Sequence, residues 1–380
     1  MNAPSGALEA ESAVFHDERV VMTLDAGGTK LQFSAVRGGR EIVEPEARSA
    51  RPDDLGASLT AITAGFEAVA EQVRPDAISF SFPGPSYYHL GVIGDLPNLP
   101  AFRGGVALGP YLQEHFGIPV YINNDGNLFT LGEWTAGLLP EVNRMLADSG
   151  SDKRYRNLLG VTIGTGFGAG MVVDGTMVVG DNDSGGEMWV MRNKLLPEYC
   201  VEALVGKQYL RRIFSREAGM AFEDAPDPRE IYEIGSSETH PLRTAARRSY
   251  EILGEAAGDA IAEASTMLDG LIVIGGGLAG AYSLFAPAMF AELRRKLHHF
   301  TGEDVPRMLS LPFDLENEGD RMRFIAGERR IIRIPGSGRE LQYDALQRTA
   351  IGLSRLGTSR AVALGAYVFA LRALDRSHAR

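Results

Sequence analysis

The stretch RVVMTLDAGGTKLQFSAV, residues 19–36, decides how this chain folds. It contains an aliphatic run, a glycine-rich turn over residues 25–30 and a second apolar run over residues 31–36, which is the pattern of a β-hairpin. Residues 157–173 repeat that order around the turn GTGFG. Two such units, about 140 residues apart, indicate a duplicated architecture in which each half presents one turn to a shared ligand.

The first turn carries the groups that a phosphate or metal site needs. Its backbone N–H groups can bind phosphate, and the carboxylate of Asp25 could bind Mg²⁺ or its water shell. An ordinary Gly-Gly hairpin without a ligand is the alternative. A Walker P-loop is excluded, because Gly206-Lys207 is followed by Gln208 and the chain has no GxxxxGK[ST] match.

Composition narrows the class of protein. The 380 residues are 44% hydrophobic and 23% charged, enough to build the core of two or three lobes. A formal net charge of -11 disfavours a nucleic-acid partner. Cys200 is the single cysteine, so an intrachain disulfide and a four-thiolate metal site are excluded and a reducing compartment is favoured.

Two segments bear on targeting. Residues 270–291 contain no charge and are long enough to span a bilayer, but their glycines and Pro287 divide them into a strand, a turn and a short amphipathic stretch. No membrane partner is therefore predicted. Residues 1–19 lack the basic start and apolar core of a signal peptide, and a flexible tail is predicted there.

Apolar periodicity predicts further elements, among them a helix whose small residues indicate close packing on another backbone. They are helices over residues 55–73 and 360–374, and strands over residues 77–82, 117–122 and 271–274. Asn124 and Asp125 precede the apolar run 128–131, as in a helix N-cap, so Asp125 would stand where a strand meets a helix.

Carboxylates supply the candidate chemistry. Asp125 is the best catalytic candidate, because phosphoryl transfer to an alcohol needs a carboxylate near the attacking hydroxyl. The string Asn-Asn-Asp-Gly-Asn at residues 123–127 is also typical of a capped turn without catalysis. Glu187 and Glu202 could accept hydrogen bonds from vicinal sugar hydroxyls, with ordinary exposed glutamates as the alternative.

A third glycine turn follows an aliphatic strand. Gly275, Gly277 and Gly280 match GxGxxG and raise a flavin or nicotinamide oxidoreductase as an alternative. No acidic residue ends a second strand about 20 residues further on, which weakens that alternative. Three glycine turns after aliphatic strands favour one triphosphate held between two lobes.

Taken together, the motifs resemble those of the ROK sugar kinases, members of the actin, hexokinase and heat-shock chaperone ATPase superfamily. The resemblance covers roughly residues 20–300 and resumes at residues 364–366. Eight motifs occur in the family's order: Leu24-Asp25-Ala26-Gly27-Gly28-Thr29-Lys30, Phe82-Pro83-Gly84-Pro85, Leu96-Pro97-Asn98-Leu99-Pro100, Asn124-Asp125-Gly126-Asn127 with Leu131-Gly132-Glu133, Gly164-Thr165-Gly166-Phe167-Gly168, Asp174-Gly175, Gly186-Glu187 and Ile274-Gly275-Gly276-Gly277.

The resemblance implies an α/β protein with two ribonuclease H-like, actin-like ATPase lobes and a cleft between them. Residues 20–122 with 362–380 would form the small lobe, and residues 123–361 the large lobe with an Arg-rich insertion at about 303–360. The implied activity is that of a cytoplasmic sugar kinase, a phosphotransferase with an alcohol acceptor. It would use ATP and Mg²⁺ to phosphorylate a hexose or N-acetylhexosamine. Relatives commonly form homodimers, which leaves a homodimer open here.

The resemblance also implies roles residue by residue. Asp125 would be the general base. The first phosphate loop would comprise Asp25, Gly27, Gly28, Thr29 and Lys30, with Asp25 also holding Mg²⁺ through water. The second loop would comprise Gly164, Thr165, Gly166 and Gly168, and Gly275, Gly276 and Gly277 would lie by the nucleoside. The sugar ligands would be Asn98, Asn124, Asp125, Glu187 and Glu202.

One departure from the family concerns zinc. Many members continue Gly-Glu-x-Gly-His and then CxCGxxGCxE, in which one His and three Cys hold a structural zinc beside the sugar pocket. Val190 stands in the His place, Asn193 and Leu195 stand in the first two Cys places, and Cys200 remains. One thiol alone does not hold zinc, so no zinc is predicted. The change leaves the identity of the sugar open, with a non-catalytic sugar-binding regulator or pseudokinase as the alternative function.

A second departure is the segment of residues 321–360, which carries nine arginines. A solvated arginine face is predicted, with a clamp for an anionic ligand and a subunit contact as alternatives. Strands are predicted near residues 322–326 and 330–334. His298 and His299 lack nearby ligand partners and are assigned to the surface.

Overall fold

The structure is a computed structural model that describes residues 13–26, 30–51, 53–84, 86–94 and 100–378. The chain forms two compact units. Unit 1 comprises residues 1–137, 170–186 and 355–380, and unit 2 comprises residues 138–169 and 187–354. The lobe boundaries implied by the resemblance stay a prediction.

The strands are β1 Val21–Ala26, β2 Lys30–Arg37, β3 Arg40–Glu41, β4 Glu46–Ser49, β5 Ala77–Ser81, β6 Ser86–Tyr87, β7 Val92–Ile93, β8 Val120–Asn123, β9 Leu158–Ile163, β10 Phe167–Val173, β11 Thr176–Met177, β12 Leu271–Gly275, β13 Lys296–His298, β14 Asp304–Pro306, β15 Leu311–Asp314, β16 Arg329–Arg333, β17 Glu340–Asp344 and β18 Arg348–Leu353. The α-helices are α1 Leu55–Ala70, α2 Leu108–Phe116, α3 Asp125–Ala136, α4 Leu138–Asp148, α5 Lys207–Ala218, α6 Pro228–Ser236, α7 Arg243–Leu268, α8 Tyr282–Leu293, α9 Glu318–Ala326 and α10 Thr358–His378.

Unit 1 is built on a six-stranded sheet in the order β3-β2-β1-β5-β8, with β4 paired to β2. The predicted first hairpin is confirmed, because β1 and β2 pair antiparallel with Asp25 opposite Gln32. β1, β5 and β8 run parallel, so their carboxyl ends lie at one edge of the sheet. β8 begins later than predicted, because Gly117 ends α2 in the left-handed region at φ 67°.

The core of unit 1 lies between this sheet and α1. Phe33, Phe66 and Phe80 are fully buried, and the ring centroids of Phe66 stand 5.0 Å from Phe33 and 5.8 Å from Phe80. A buried aromatic cluster of this kind contributes both area and edge-to-face contacts. It fixes the strands whose ends carry the candidate site.

α3 and α10 pack backbone to backbone. A Cβ at Gly132 would overlap the carbonyl oxygen of Ala361, and a Cβ at Gly365 would overlap that of Leu128. Only glycine permits such an approach. The prediction that the small-residue helix near the C-terminus packs close to another backbone is therefore confirmed. The contact fixes α3, the helix that begins at Asp125.

The second six-stranded sheet has the order β11-β10-β9-β12-β18-β15. β9, β12, β18 and β15 pair in parallel and belong to unit 2, and the chain passes from unit 2 into unit 1 along β10. All five residues of β12 are buried, as its continuous aliphatic sequence predicts. The second predicted hairpin, β9 and β10 around a glycine turn, is confirmed.

The Arg-rich region contains a predicted element that is wrong. Residues 322–326, predicted as a strand, lie in α9. Asn317 caps that helix by accepting a hydrogen bond from the backbone N–H of Asp320, 3.0 Å away, and Glu318 and Asp320 occupy its first turn. An N-cap followed by acidic residues favours a helix, and this signal outweighed the local β propensity.

The strand predicted at residues 330–334 is present as β16, which pairs with β17 in a two-stranded ribbon. Every residue of β16 is exposed, in agreement with a solvated arginine face. The ribbon is fixed at its base by an ion pair between Asp344 and Arg348, whose side chain is fully buried. The Asp344 side chain is partly exposed, so the pair joins a buried guanidinium to a carboxylate at the surface.

The remaining expectations about the ends and the apolar segment have mixed outcomes. Residues 270–291 form β12, a short 3₁₀ turn and most of α8. Among the described helices, none is long and apolar enough to cross a membrane. Of the predicted tail, residues 1–12 lie outside the described residues. Within residues 13–19, Arg19 pairs with Asp17 and Asp375, so this part is bound to unit 1.

Candidate functional site

In unit 1, candidate site residues lie at the edge where β1 and β8 end. Asp25 lies at the end of β1 with its side chain exposed, and Lys30 is exposed at the start of β2. Asn123 ends β8 and is buried, accepting hydrogen bonds from the backbone N–H of Asn124 at 2.8 Å and from Nδ2 of Asn127 at 3.1 Å. This buried network fixes the turn from β8 into α3. We call the group Asp25, Asn124 and Asp125 the acidic edge.

The turn at Asp125 is the predicted capped helix start. The Asn124 side chain accepts a hydrogen bond from the backbone N–H of Gly126 at 2.8 Å, and Oδ1 of Asp125 accepts from the same group at 2.9 Å. The cap orients both side chains at the end of a parallel strand. The prediction that Asp125 stands where a strand meets a helix is confirmed.

The electrostatics of Asp125 depart from those of an ordinary surface aspartate. Lost hydration, and to a smaller degree the negative charge of Asp25, raise its pKa, while the backbone N–H groups of Gly126 and of Asp125 itself lower it. The net direction is upward. The residue also has exposed surface. The pKa of Asp125 is raised in spite of this exposure, because protein atoms crowd the carboxylate and water reaches it from one side only.

Several predicted residues lie outside the described residues. They are Gly27, Gly28 and Thr29 of the first turn, and Asn98. Their predicted roles stay predictions.

In unit 2, candidate site residues lie in a cluster of glycine turns. The turn at residues 164–166 follows β9, and the turn at residues 276–278 follows β12, the strand next to β9. Leu278 donates its backbone N–H to the carbonyl oxygen of Ile163 at 2.9 Å. Gly276 has φ +89°, and a Cβ there would overlap that same carbonyl group. We call residues 164–168 with 275–278 the glycine cluster.

A segment rejected on sequence as a P-loop lies against this cluster. Lys207 begins α5 and donates its backbone N–H to the carbonyl oxygen of Gly164 at 2.9 Å. A Cβ at Gly206 would stand 3.1 Å from the carbonyl oxygen of Thr165. Sequence reasoning excluded the Walker pattern and missed this placement. Glycine directly before a helix start was the available signal.

Glu202 is joined to the same cluster. Its Oε2 accepts the backbone N–H of Phe167 at 2.9 Å, and a Cβ at Gly166 would overlap that oxygen. The side chain is half-buried at the start of a 3₁₀ helix over Val201–Leu204. Glu187, at the start of the 3₁₀ helix Met188–Val190, accepts a hydrogen bond from Nε1 of Trp189. The two glutamates are thus oriented by protein donors.

The residues at the family's zinc positions differ from zinc ligands in their chemistry. Val190 is 56% exposed and offers no ligand atom, and Asn193 is buried with its carboxamide hydrogen-bonded within its own loop. The donor set therefore does not fit zinc. In the described part of the chain, no group of three or more His, Cys, Asp or Glu side chains is arranged to hold a metal ion. Mg²⁺ needs fewer protein ligands than zinc, since one or two carboxylates with water and substrate phosphates can bind it. The carboxylate of Asp25 fits that pattern.

Comparison with known proteins identifies the family. The model of the ROK family matches residues 21–310. The chain belongs to the ROK family. A similar solved structure is a glucokinase from Parabacteroides distasonis ATCC 8503, 48% identical, with a TM-score of 0.84 and coverage of 94% of this chain and 99% of that chain.

Two further similar proteins are both sugar kinases by name. An N-acetyl-D-glucosamine kinase from Erwinia tasmaniensis is 28% identical over 289 residues, 69% of this chain and 85% of that protein. A ROK family glucokinase from Streptomyces griseus, solved with glucose and AMPPNP, is 17% identical with a TM-score of 0.61 over 91% of this chain and 98% of its own, and it supports the fold alone. The predicted fold class, an α/β protein of the actin-like ATPase type, is confirmed.

Two buried or oriented carboxylates were missed by sequence reasoning. Glu133 is fully buried in α3 and accepts backbone N–H groups from Arg355 and Leu356. Asp183 accepts the backbone N–H of His89 and lies 2.6 Å from its Nδ1. Both partners are far away in sequence, so no local pattern indicated either contact.

Proposed function

We propose that this ROK protein is an ATP-dependent sugar kinase that transfers the γ-phosphoryl group of ATP to a hydroxyl of a hexose or N-acetylhexosamine. The observation that supports it most is Asp125 at the start of α3, solvent-accessible and with a raised pKa beside Asp25. A general base works best when its pKa approaches the working pH. The similarity to a glucokinase and to an N-acetyl-D-glucosamine kinase supports the choice of acceptor.

In the proposed reaction, Asp125 accepts the proton of the attacking hydroxyl as the phosphoryl group leaves ATP. Asn124, Glu187 and Glu202 would bind other hydroxyls of the sugar, because carboxylate and amide oxygens accept hydrogen bonds from such groups. Phosphoryl transfer needs little covalent chemistry from the protein, so positioning is the larger part of catalysis.

The nucleotide would be bound by glycine-rich backbone. The turn at residues 164–168 would meet the phosphates, and residues 275–277 would lie by the nucleoside. Backbone N–H groups in such turns bind anions without bringing a competing negative charge. Asp25 would hold Mg²⁺ through water, and the ion, when bound, neutralises charge on the phosphates.

The test is an ATP-consumption assay over hexoses and N-acetylhexosamines, with glucose and N-acetylglucosamine first. Wild type should consume ATP with at least one of these acceptors. Asp125→Asn should lower turnover by about 10²- to 10⁴-fold, the usual contribution of a general base, with a small change in sugar affinity. Asp148→Asn, at an exposed aspartate that ends α4, is the matched control and should retain turnover.

Two results would contradict the proposal in different ways. Near-normal turnover in Asp125→Asn would remove that residue from the mechanism while leaving a kinase. Sugar binding by wild type without ATP consumption on any acceptor would favour the non-catalytic regulator instead.

A further inference from the structure

Residues 193–200 form a loop that is closed by one buried side chain. Asn193 is fully buried. Its Oδ1 accepts the backbone N–H groups of Leu195 at 2.9 Å and Leu196 at 3.0 Å, and its Nδ2 donates to the carbonyl oxygen of Cys200 at 3.4 Å. Its own backbone N–H donates to the carbonyl oxygen of Tyr199 at 2.9 Å. One carboxamide thus ties the two ends of this loop, which we call the Asn193 loop.

The neighbouring residue anchors the Asn193 loop to two helices. Nζ of Lys194 pairs with Glu255 of α7 at 2.9 Å and with Glu292 of α8. The Glu292 side chain is only 6% exposed, so this ion pair is largely removed from solvent. Charge-assisted bonds in such surroundings are stronger than surface pairs. The loop is therefore closed by Asn193 and fixed to the body of unit 2 by Lys194.

The closed loop leads directly into Glu202. Arg192 and Cys200 form an antiparallel bridge, and Val201 donates its backbone N–H to the carbonyl oxygen of Met191 at 2.8 Å. The next residue is Glu202, which accepts the N–H of Phe167 in the glycine cluster. A shift at the end of the Asn193 loop would move this carboxylate.

We propose that the Asn193–Lys194 pair replaces a metal as the element that holds this loop and positions Glu202. Asn193 stands at one of the places where the family pattern has a metal-ligating side chain, Lys194 follows it directly, and the atoms present at the four places do not suit zinc. Asn193 is thus a positioning residue that acts through Glu202. The sugar-binding role of Glu202 rests on the proposed function, whereas the loop closure does not.

The first measurement determines the zinc content of the purified protein and the resistance of the Asn193 loop to trypsin. Wild type, purified without chelator, should hold zinc well below one atom per chain, and EDTA should leave its resistance to trypsin after Arg192 and Lys194 unchanged. One zinc per chain, with cleavage after EDTA that added zinc reverses, would overturn the proposal.

The second measurement uses three variants, two at Asn193 and one control elsewhere. Asn193→Ala removes the acceptor from two backbone N–H groups and should open the loop to trypsin. It should also raise the KM for sugar about tenfold, because a displaced Glu202 would lose one hydrogen bond to the sugar, with little change in the KM for ATP. Asn193→Asp keeps the acceptor and should restore most of both properties. Asn182→Ala, at an exposed position, is the control and should match wild type.

The outcomes separate this proposal from the kinase proposal. Equal trypsin resistance in Asn193→Ala and wild type would overturn the loop closure, whatever the activity. If Asn193→Ala raised the KM for sugar and the KM for ATP by the same factor, the proposal that Asn193 positions Glu202 would be wrong. A general loss of structure affects both constants. If wild type consumes no ATP, the trypsin contrast still tests the closure, and the kinase proposal alone fails.

Discussion

The acidic edge of unit 1 and the glycine cluster of unit 2 start from the same design, a hairpin with a glycine-rich turn. They differ in what surrounds the turn. Beside the β1–β2 turn stand two carboxylates, Asp25 and Asp125, whose charges interact. Beside the β9–β10 turn stands Glu202, whose Oε2 is engaged by a backbone N–H, and further glycine backbone from residues 276–278.

This difference indicates a division of chemical tasks. Lost hydration, and to a smaller degree the charge of Asp25, raise the pKa of Asp125, which suits proton transfer, and a carboxylate at this edge suits a hydrated cation. Glycine backbone brings donors close to a polyanion, which suits phosphate binding. The duplicated hairpin is therefore a shared scaffold, and its neighbours determine what each copy does.

The largest expected effect concerns backbone space in the glycine cluster. Gly276→Ala must place a Cβ against the carbonyl group of Ile163 at φ +89°, whereas a Cβ at Gly277 would meet nothing within 4 Å. We expect Gly276→Ala to lower the free energy of unfolding by about 3 kcal/mol, the combined range for a strained backbone and an overpacked contact. Urea unfolding checks this.

Gly277→Ala is the matched control and should unfold close to wild type. Equal stability of the two variants would show that residues 276 and 163 do not approach each other closely. The description of the glycine cluster would then be wrong.

An intermediate effect is expected at Glu202. Glu202→Gln keeps an oxygen that can accept the N–H of Phe167, so the hairpin should stay folded, but it removes the charge. Losing a charge-assisted hydrogen bond to a sugar hydroxyl costs about 1.5 kcal/mol, close to a tenfold increase in KM for sugar. Steady-state kinetics at saturating ATP measures it. An unchanged KM would assign Glu202 to the hairpin alone.

The smallest expected effect concerns the pH dependence of stability at the acidic edge. Because folding raises the pKa of Asp125, protonated Asp125 favours the folded state. That contribution is complete below the unfolded pKa, about 3.9, and is lost as the pH rises through the folded pKa. Asp125→Asn, which cannot ionise, should therefore be more stable than wild type at pH 7, with the gain shrinking toward pH 4.

Thermal unfolding across this pH range checks the gain. Removing the like charge with Asp25→Asn should lower the pKa of Asp125 and reduce the gain. If Asp125→Asn were more stable than wild type by the same amount at every pH, ionisation of Asp125 would not be the cause. The electrostatic contrast between the acidic edge and the glycine cluster would then be wrong.

Much of the fold was predictable because its signals are local. Apolar runs on both sides of a glycine turn predicted both hairpins, Asn124 before an apolar run predicted the start of α3, and small residues over 360–374 predicted the close packing of α10. Each depends on neighbours a few positions away, where propensity and turn chemistry act. The prediction of a strand at residues 322–326 was wrong, because the helix cap at Asn317 lies before the Arg-rich segment 321–360 from which the strand was predicted.

The candidate site was predictable only in its residue types. Asp25, Asp125, Glu187 and Glu202 were named from motifs, and their chemical roles stay predictions. Gly206 before a helix start was a local signal for the helix alone, and the contact of Gly206-Lys207 with the second turn and the burial of Glu133 had none. Both contacts join segments distant in sequence, and periodicity carries no information about such contacts.

By itself, the sequence determined the two hairpins, the strand-to-helix turn at Asp125 and the absence of the family's metal ligands, because backbone preference and side-chain chemistry are properties of short stretches. Only the tertiary structure decided that Asp25 and Asp125 interact, that Glu202 meets the second hairpin and that Asn193 closes its loop. These depend on which distant segments the buried sheets bring together, and burial changes the energy of a charge or hydrogen bond in a way that composition does not encode.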